Sequence, residues 1–302
     1  MHTTRPNTHE TLQPGLRRVL ADNPSPMTYW GTNTYIVGTG NVAVIDPGPD
    51  SPAHLRAILS ALEPGETISH IFVTHSHVDH SPLAPTLSAQ TGAPILAYGD
   101  ATAGRSAVMC TLANQGMTDG GEGIDAAFTP DQTLKDGQTI TADNWRIQAL
   151  WTPGHLGNHM CFIWGDVIFT GDHIMAWASS LVSPPDGDLS DFMASTEKLS
   201  QHPARIFYPG HGPAVTDPAA RISWLLKHRQ SRQTAILSAL SHGPATTQTL
   251  TQTIYTDIQP HLLPAAQRNV FAHLIDLVQS AQAQTNGLLT FDAEFALNGP
   301  LT

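Results

Sequence analysis

One heptapeptide constrains this chain more than any other stretch. It is Thr74-His75-Ser76-His77-Val78-Asp79-His80, set directly behind the apolar run Ile71-Phe72-Val73. The run reads as a buried strand, and a loop at its end lets His75 and His77 face the same way, because side chains two apart in extended chain share a face. Both imidazoles can then reach one cation. Asp79 and His80 lie just beyond, where the chain turns toward a helix, in reach of a second cation. Imidazole nitrogen with carboxylate oxygen suits zinc or another first-row divalent ion, whereas calcium would take more oxygens. Three later segments repeat the layout of an apolar run ending in a glycine turn that carries a ligand-type residue. They are Thr152-Pro153-Gly154-His155, Thr170-Gly171-Asp172-His173 and Tyr208-Pro209-Gly210-His211-Gly212.

The chain around these turns is an α/β pattern of about two domains for its 302 residues. Stretches 34–37 and 42–45 read as a hairpin, and 71–74, 94–98, 145–150, 160–164, 167–170 and 205–208 as further strands. Helices fill 52–62, 82–91 and 189–201, the last with Ser190 or Asp191 available as its cap. The glycine-rich stretch 116–123 reads as a mobile loop. After Asp217-Pro218 the strands vanish, three helices follow over 222–240, 246–255 and 264–282, and a short β-like stretch covers 288–295. The expected division is therefore 1–216 and 217–302, with a winged-helix-like arrangement in the second part.

Charge and cysteine usage narrow the function. The formal net charge of −11 disfavours polyanions and acidic membranes as partners. From residue 217 onward basic and acidic residues balance, and the third helix offers only Arg268 and His273 beside Asp276, where a nucleic-acid reader would be basic. No stretch approaches a membrane span, and Met1 to Glu10 is polar without the apolar segment of a secretory signal, so a cytoplasmic location is expected. Cys110 and Cys161 are too few for a disulfide scaffold and form no C-x-x-C pair; Cys161, inside an apolar strand, reads as core.

With these motifs in that order, the chain resembles the metallo-β-lactamase superfamily. The resemblance implies an αββα sandwich with two metals at the loop edge. His75, His77 and His155 would hold the first, Asp79, His80 and His211 the second, and Asp172 would bridge them. Gly31-Thr32-Asn33-Thr34-Tyr35 and Ile45-Asp46-Pro47-Gly48 also match, with Asp46 as the carboxylate that steadies a ligand histidine. Within the superfamily the likeness is to the β-lactamase-like protein 2 group, which also carries a C-terminal winged-helix-like extension. One departure stands out: the Gly-Gly that commonly follows the last motif histidine is Ser81-Pro82 here.

Two metals about 3.5 to 4 Å apart can share a water and lower its pKa from 15.7 to about 7, so no serine or cysteine nucleophile is expected. Two divalent ions are expected, zinc first and manganese or iron as alternatives. Asp79 and His159 are the candidate catalytic side chains, His159 because it stands four residues beyond His155 and could orient substrate or protonate a leaving group. Trp177 and 179–185 could form a substrate-facing loop. The reading is a dinuclear metal-dependent hydrolase whose hydroxide attacks an ester, thioester or lactone of a small molecule or carrier-bound acyl group. A metal-dependent endoribonuclease acting on single-stranded RNA is the alternative; net charge disfavours it, since even two divalent cations leave the chain negative. A catalytically silent, metal-stabilised binding module is the third reading, which an open seven-ligand set opposes.

Overall fold

The computed structural model describes residues 5–118 and 123–299. Of the expected mobile loop, 119–122 lie outside the described residues. Two mixed sheets face one another. The first opens as an antiparallel meander, β1 (His9–Gln13), β2 (Leu16–Leu20), β3 (Asn33–Val37) and β4 (Asn41–Ile45), and continues in parallel through β5 (Thr67–Phe72), β6 (Ile95–Ala97) and β7 (Gln132–Thr133). Parallel neighbours need crossovers, and α1 (Pro52–Ser60), α2 (Ala84–Thr91) and α3 (Ala107–Asn114) lie in them. The second sheet is a meander of β8 (Thr139–Ala142), β9 (Trp145–Trp151), β10 (Met160–Trp164) and β11 (Val167–Gly171). After α4 (Leu189–Ser200), β12 (Ile206–Pro209) closes it in parallel with β11.

Side-chain alternation sets the layers. Tyr35, Val37, Ala43, Ile45 and Phe72 face Met160, Phe162 and Phe169 between the sheets. Their neighbours Ile36, Val42, Val44 and Ile71 face the opposite way, onto Leu55, Ile58 and Leu87 of α1 and α2. On the far side Cys161, Ile168 and Phe207 pack against Leu199 of α4 and against Ile222 and Leu225 of the next helix. That helix, α5 (Pro218–Leu240), begins at Asp217, whose carboxylate accepts the Ala220 N–H at 3.0 Å. Its 23 residues span about 34 Å, long enough to leave the sandwich. Its second half joins another core with α6 (Thr247–Ile254), α7 (Leu263–Gln279) and a small sheet of β13 (Ala245–Thr246), β14 (Ala283–Thr285) and β15 (Glu294–Leu297). Met109 and Leu112 of α3 also enter that core.

The fold is the expected αββα sandwich with a C-terminal winged-helix arrangement, and several local readings shift. The strand expected at 71–74 ends at Phe72, because Asp46 claims the Thr74 N–H. Helix α2 starts at Ala84 rather than at 82. The cap of α4 is Asp188, which accepts from the Ser190 and Asp191 N–H groups. The β-like stretch at 288–295 is replaced by pairing of 283–285 with 294–297, which buries Ala283 and Phe295 and leaves Leu288 71% exposed. The segment 180–188 is buried, held by Val182 N–H on Asn269 and by Arg268 on the Pro184 carbonyl. Arg268 and His273, which a nucleic-acid reader would present, are therefore committed inward. Among the described residues no helix is long and apolar enough to cross a membrane.

Both ring nitrogens of His273 are buried without a partner, and burial lowers its pKa from 6.5 to about 3. A folded value below the unfolded one means that the stability is fully present above pH 6.5 and is lost as pH falls toward 3. The loss is up to about 1.4 kcal/mol per pH unit. His273→Phe is expected to flatten this dependence in urea unfolding between neutral and acid pH; an unchanged slope would show that His273 is hydrated.

Candidate metal centre

Seven ligand-type side chains from four separate loops meet at the edge of the sandwich. His75 Nε2 and His155 Nε2 lie 2.9 and 3.1 Å from His77 Nδ1. His211 Nε2 lies 3.2 Å from His80 Nε2, 3.0 Å from Asp79 Oδ2 and 3.2 Å from Asp172 Oδ2. Asp172 Oδ1 is 3.5 Å from His80 Nε2, and its Oδ2 is 3.8 Å from His155 Nε2. Three trios have their ligand atoms within 4.8 Å of one another: His75, His77 and His155; His75, His80 and Asp172; and Asp79, His80 and His211. The structure thus brings together all seven residues singled out in the sequence, with Asp172 between the two outer groups.

The far nitrogens settle which atoms face inward. His155 Nδ1 stands 2.8 Å from the Leu181 carbonyl and His211 Nδ1 3.2 Å from that of Gly31, so both must carry the proton. His80 Nδ1 donates to Asp46 Oδ2 at 2.9 Å. The Thr74 hydroxyl donates to Asp46 Oδ2 at 2.7 Å, leaving its oxygen to accept from His75 Nδ1 at 2.9 Å. Four Nε2 lone pairs are thereby aimed at the centre, as metal ligation requires.

The donor set fits divalent cations. Asp172 Oδ1 is buried and has no hydrogen-bond donor, an arrangement that costs stability unless a cation faces it. Burial holds His75 well below the ordinary histidine range and His77 at about 3, the neutral form that binds metal. Burial also works against charge on His80, His211, Asp79 and Asp172, but their mutual attraction outweighs it. His80 is raised well above its usual value and His211 to about 10, while both carboxylates are held well below the usual range. The pocket therefore calls for positive charge beside Asp79 and Asp172.

Local backbone makes room for this. Gly210 carries no side chain where a Cβ would come 2.4 Å from Asp172 Oδ1 and 2.6 Å from His80 Cε1. Asn33 Nδ2 donates to the Pro209 and Gly212 carbonyls on either side of that turn, both at 3.0 Å. Ser81, in place of the glycine of the resembled family, is buried and donates to Asp125 Oδ2 at 2.7 Å.

His159 lies elsewhere than its sequence position suggested. Its ring is fully buried, 5.1 Å from that of His75, and its Nδ1 donates to Thr152 Oγ1 at 2.9 Å. Its Nε2 points at Gly171, where a Cβ would approach to 2.6 Å. The ring is packed behind the ligand layer, tilted against that of His75. Cys161 is core as expected, accepting from the Thr152 hydroxyl at 3.3 Å. Sequence reasoning missed Thr32, which donates to Asp79 Oδ2 at 3.2 Å, and Ser180, which donates to the backbone carbonyls of Asp172 and His173. Both lie in stretches the sequence singles out, 31–35 and 179–185, but nothing in residue type gives these two hydroxyls their contacts.

Comparisons with known proteins agree with this geometry. Residues 27–211 match the family model described as the metallo-beta-lactamase superfamily, and 246–287 match a beta-lactamase associated winged helix domain. Lactamase-like protein adaB of Aspergillus niger is 31% identical over 243 residues, covering 78% of this chain and 67% of the relative. The atrochrysone carboxyl ACP thioesterase dmxR1 of a Cryptosporiopsis species is 32% identical over 238 residues, covering 76% of this chain and 64% of the relative. The chain thus spans about two thirds of the length of these relatives. A crystal structure of a metallo-beta-lactamase family protein from Thermus thermophilus superposes with a TM-score of 0.74 at 25% identity, over 95% of this chain and 100% of that one.

Two outcomes follow. Asp46→Asn is expected to weaken divalent-metal affinity about 10- to 100-fold in a chelator competition titration; unchanged affinity would remove Asp46 from the supporting network. Metal at about 100 times its Kd is expected to stabilise the fold by about 2.7 kcal/mol, read as a rise in Tm that a chelator reverses.

Proposed function

The chain belongs to the metallo-β-lactamase superfamily, and on that footing we propose that it is a metal-dependent thioesterase that frees an acyl group from its carrier by hydrolysis. Relatives named as atrochrysone carboxyl ACP thioesterases, at 32% and 30% identity, support the carrier-bound thioester over the ester and lactone substrates also compatible with the sequence. In this reading residues 1–216 carry the chemistry and 217–302 build the wall beside it.

His75, His77 and His155 would hold one cation, Asp79, His80 and His211 the other, and Asp172 would stand between them. Two divalent ions bound there, zinc first by donor type with manganese or iron as alternatives, would acidify a water and polarise the thioester carbonyl. The protein does the rest by position. Asp79, whose side chain is 17% exposed, is the most open of the seven, so it is the carboxylate that an incoming water meets. Thr32 Oγ1 donates to it, and Asn23 Nδ2 donates to Thr32 Oγ1 at 3.0 Å, which fixes the carboxylate's orientation. Asp79 holds the attacking water and takes its proton as the oxygen adds to the acyl carbon. The C–S bond then breaks, the electron pair leaves on sulfur, and the proton passes from Asp79 to the thiolate.

The observation that carries the thioester over an amide is the burial of His159. An amide nitrogen must be protonated as it leaves, whereas a thiol of pKa about 8.5 departs as thiolate unaided. With His159 sealed behind the ligands, the one proton source in this reading is Asp79, which delivers its proton after the C–S bond has broken, and that suits a leaving group that departs unprotonated.

The test is hydrolysis of an acyl N-acetylcysteamine thioester, p-nitrophenyl acetate and a fluorogenic single-stranded RNA, each with and without chelator. Thioester turnover is expected to be fastest, to vanish with chelator and to return with zinc or manganese, while the RNA stays intact. Salt-sensitive RNA cleavage would reverse the assignment. Asp79→Asn is expected to lower kcat by roughly 10²- to 10⁴-fold. His159→Asn is expected to weaken metal binding yet keep kcat within about threefold at saturating metal; a larger fall in kcat with both metals retained would return His159 to the reacting atoms.

A further inference from the structure

Next to the metal centre, a cavity of about 240 Å³ opens between the loop after β11, the segment around Met27, and helices α5 and α7. It shares a wall with the centre. Leu181, which lines it, gives its carbonyl to His155, and Trp177, which also lines it, lies against Gly212, the residue after His211. Met27, Met175, Ile258 and Leu262 supply apolar wall, His228 and Asn269 polar wall, and Ala265 stands at the α7 edge.

Charge distinguishes this cavity from its neighbours. Arg229 lines it and is 2% exposed, and among the described residues no carboxylate pairs with it. Among the described residues its guanidinium donates to Asn269 Oδ1 at 2.8 Å and to the Ser180 carbonyl, stacks over Phe192 at 5.0 Å and leaves Nε without a partner. Arg232 stacks over Tyr255, another lining residue, at 4.6 Å and is likewise without a carboxylate among the described residues. Burying a cation without a counter-charge is costly, so Arg229 on the cavity wall, with the half-buried Arg232 behind Tyr255, favours a ligand that brings negative charge or acidic oxygen. The larger cavity of about 780 Å³ beside Arg105 lacks this feature, because Arg105 is already paired with Asp186 at 2.5 Å.

We propose that the smaller cavity seats the acyl body of the substrate, a ring-sized apolar or aromatic group that carries an acidic oxygen at its far end. The proposal rests on the thioesterase reading. A volume of about 240 Å³ falls just below the 300 Å³ at which pockets enclose drug-sized ligands. That suits one or two fused rings, with the thioester left at the centre and the carrier outside. Trp177, stacked on Tyr29 at a ring distance of 4.8 Å, forms an aromatic lip between the two.

The test uses the metal-loaded full chain and N-acetylcysteamine thioesters of 6-hydroxy-2-naphthoic, 2-naphthoic and acetic acids. The expected order of kcat/KM is hydroxynaphthoyl, naphthoyl, acetyl, with about tenfold or more between first and last. Ala265→Trp and Ile258→Trp, on separate walls, are each expected to cut that ratio at least about tenfold. Equal rates on all three thioesters, or a ratio unmoved in both variants, would overturn the proposal. Binding of 6-hydroxy-2-naphthamide, followed by tryptophan fluorescence, separates the two readings. Amide binding that Ala265→Trp abolishes, with no thioester turned over, keeps the cavity and removes the thioesterase. Acetyl thioester turnover without amide binding keeps the thioesterase and removes the cavity.

Discussion

One buried carboxylate holds the chemical end of this fold in register. Asp46 accepts the Thr74 N–H at 2.7 Å, the Thr74 hydroxyl at 2.7 Å and His80 Nδ1 at 2.9 Å. Charge-assisted hydrogen bonds are worth about 1.5 to 3 kcal/mol each, and here they fix both ends of the histidine-rich loop relative to β4. Asp46 pays for this with a left-handed backbone at φ +50, which an ordinary residue avoids. The sheet keeps it there: its N–H bonds the Phe72 carbonyl at 2.9 Å, and its own carbonyl accepts the Thr34 hydroxyl at 2.6 Å. Strain of this kind persists only where surrounding bonds over-determine it, and the strand pair β4–β5 supplies them.

Once that loop is fixed, the remaining difficulty is electrostatic. Six of the seven converging side chains are 5% exposed or less, and water cannot compensate what the protein does not. The solution is to anchor every far nitrogen that the network resolves on an acceptor, a loop carbonyl, a threonine hydroxyl or Asp46. Near nitrogens are then left with nothing but one another and two carboxylates. Without cations the site draws protons onto His80 and His211; with cations those protons must leave. Metal loading and proton release are thus coupled through the same pair of rings.

Much of this was legible in the sequence because ligand chemistry is written in residue type and strand–turn punctuation. The motif after β5 and the three glycine turns gave all seven converging residues, and period-two alternation gave most central strands. What stayed hidden has specific causes. Strand β2 carries Arg17 and Arg18, which break the apolar pattern, yet both are buried; Arg17 is neutralised by Glu66 at 2.7 Å, 49 residues away. Helix α3 belongs by its contacts to the C-terminal core, a long-range fact that no local window contains. Leu181 and Gly31 act through backbone carbonyls, and a carbonyl leaves no mark on residue identity.

The loop after β11 explains why two units of such different texture work as one. On its inner side Ser180 bonds the Asp172 carbonyl and Leu181 bonds His155, so the loop supports ligands. On its outer side Arg221 donates to the Met175 and Ala178 carbonyls and Arg229 to that of Ser180, so helix α5 grips the same loop by its backbone. Backbone contacts are indifferent to side-chain identity. Side chains between the anchored carbonyls, such as Ser179, can therefore change while the carbonyl contacts that support the ligands stay in place. A helix that begins on the sandwich and ends in the winged-helix core thereby fixes the chemistry while leaving the cavity wall free to vary.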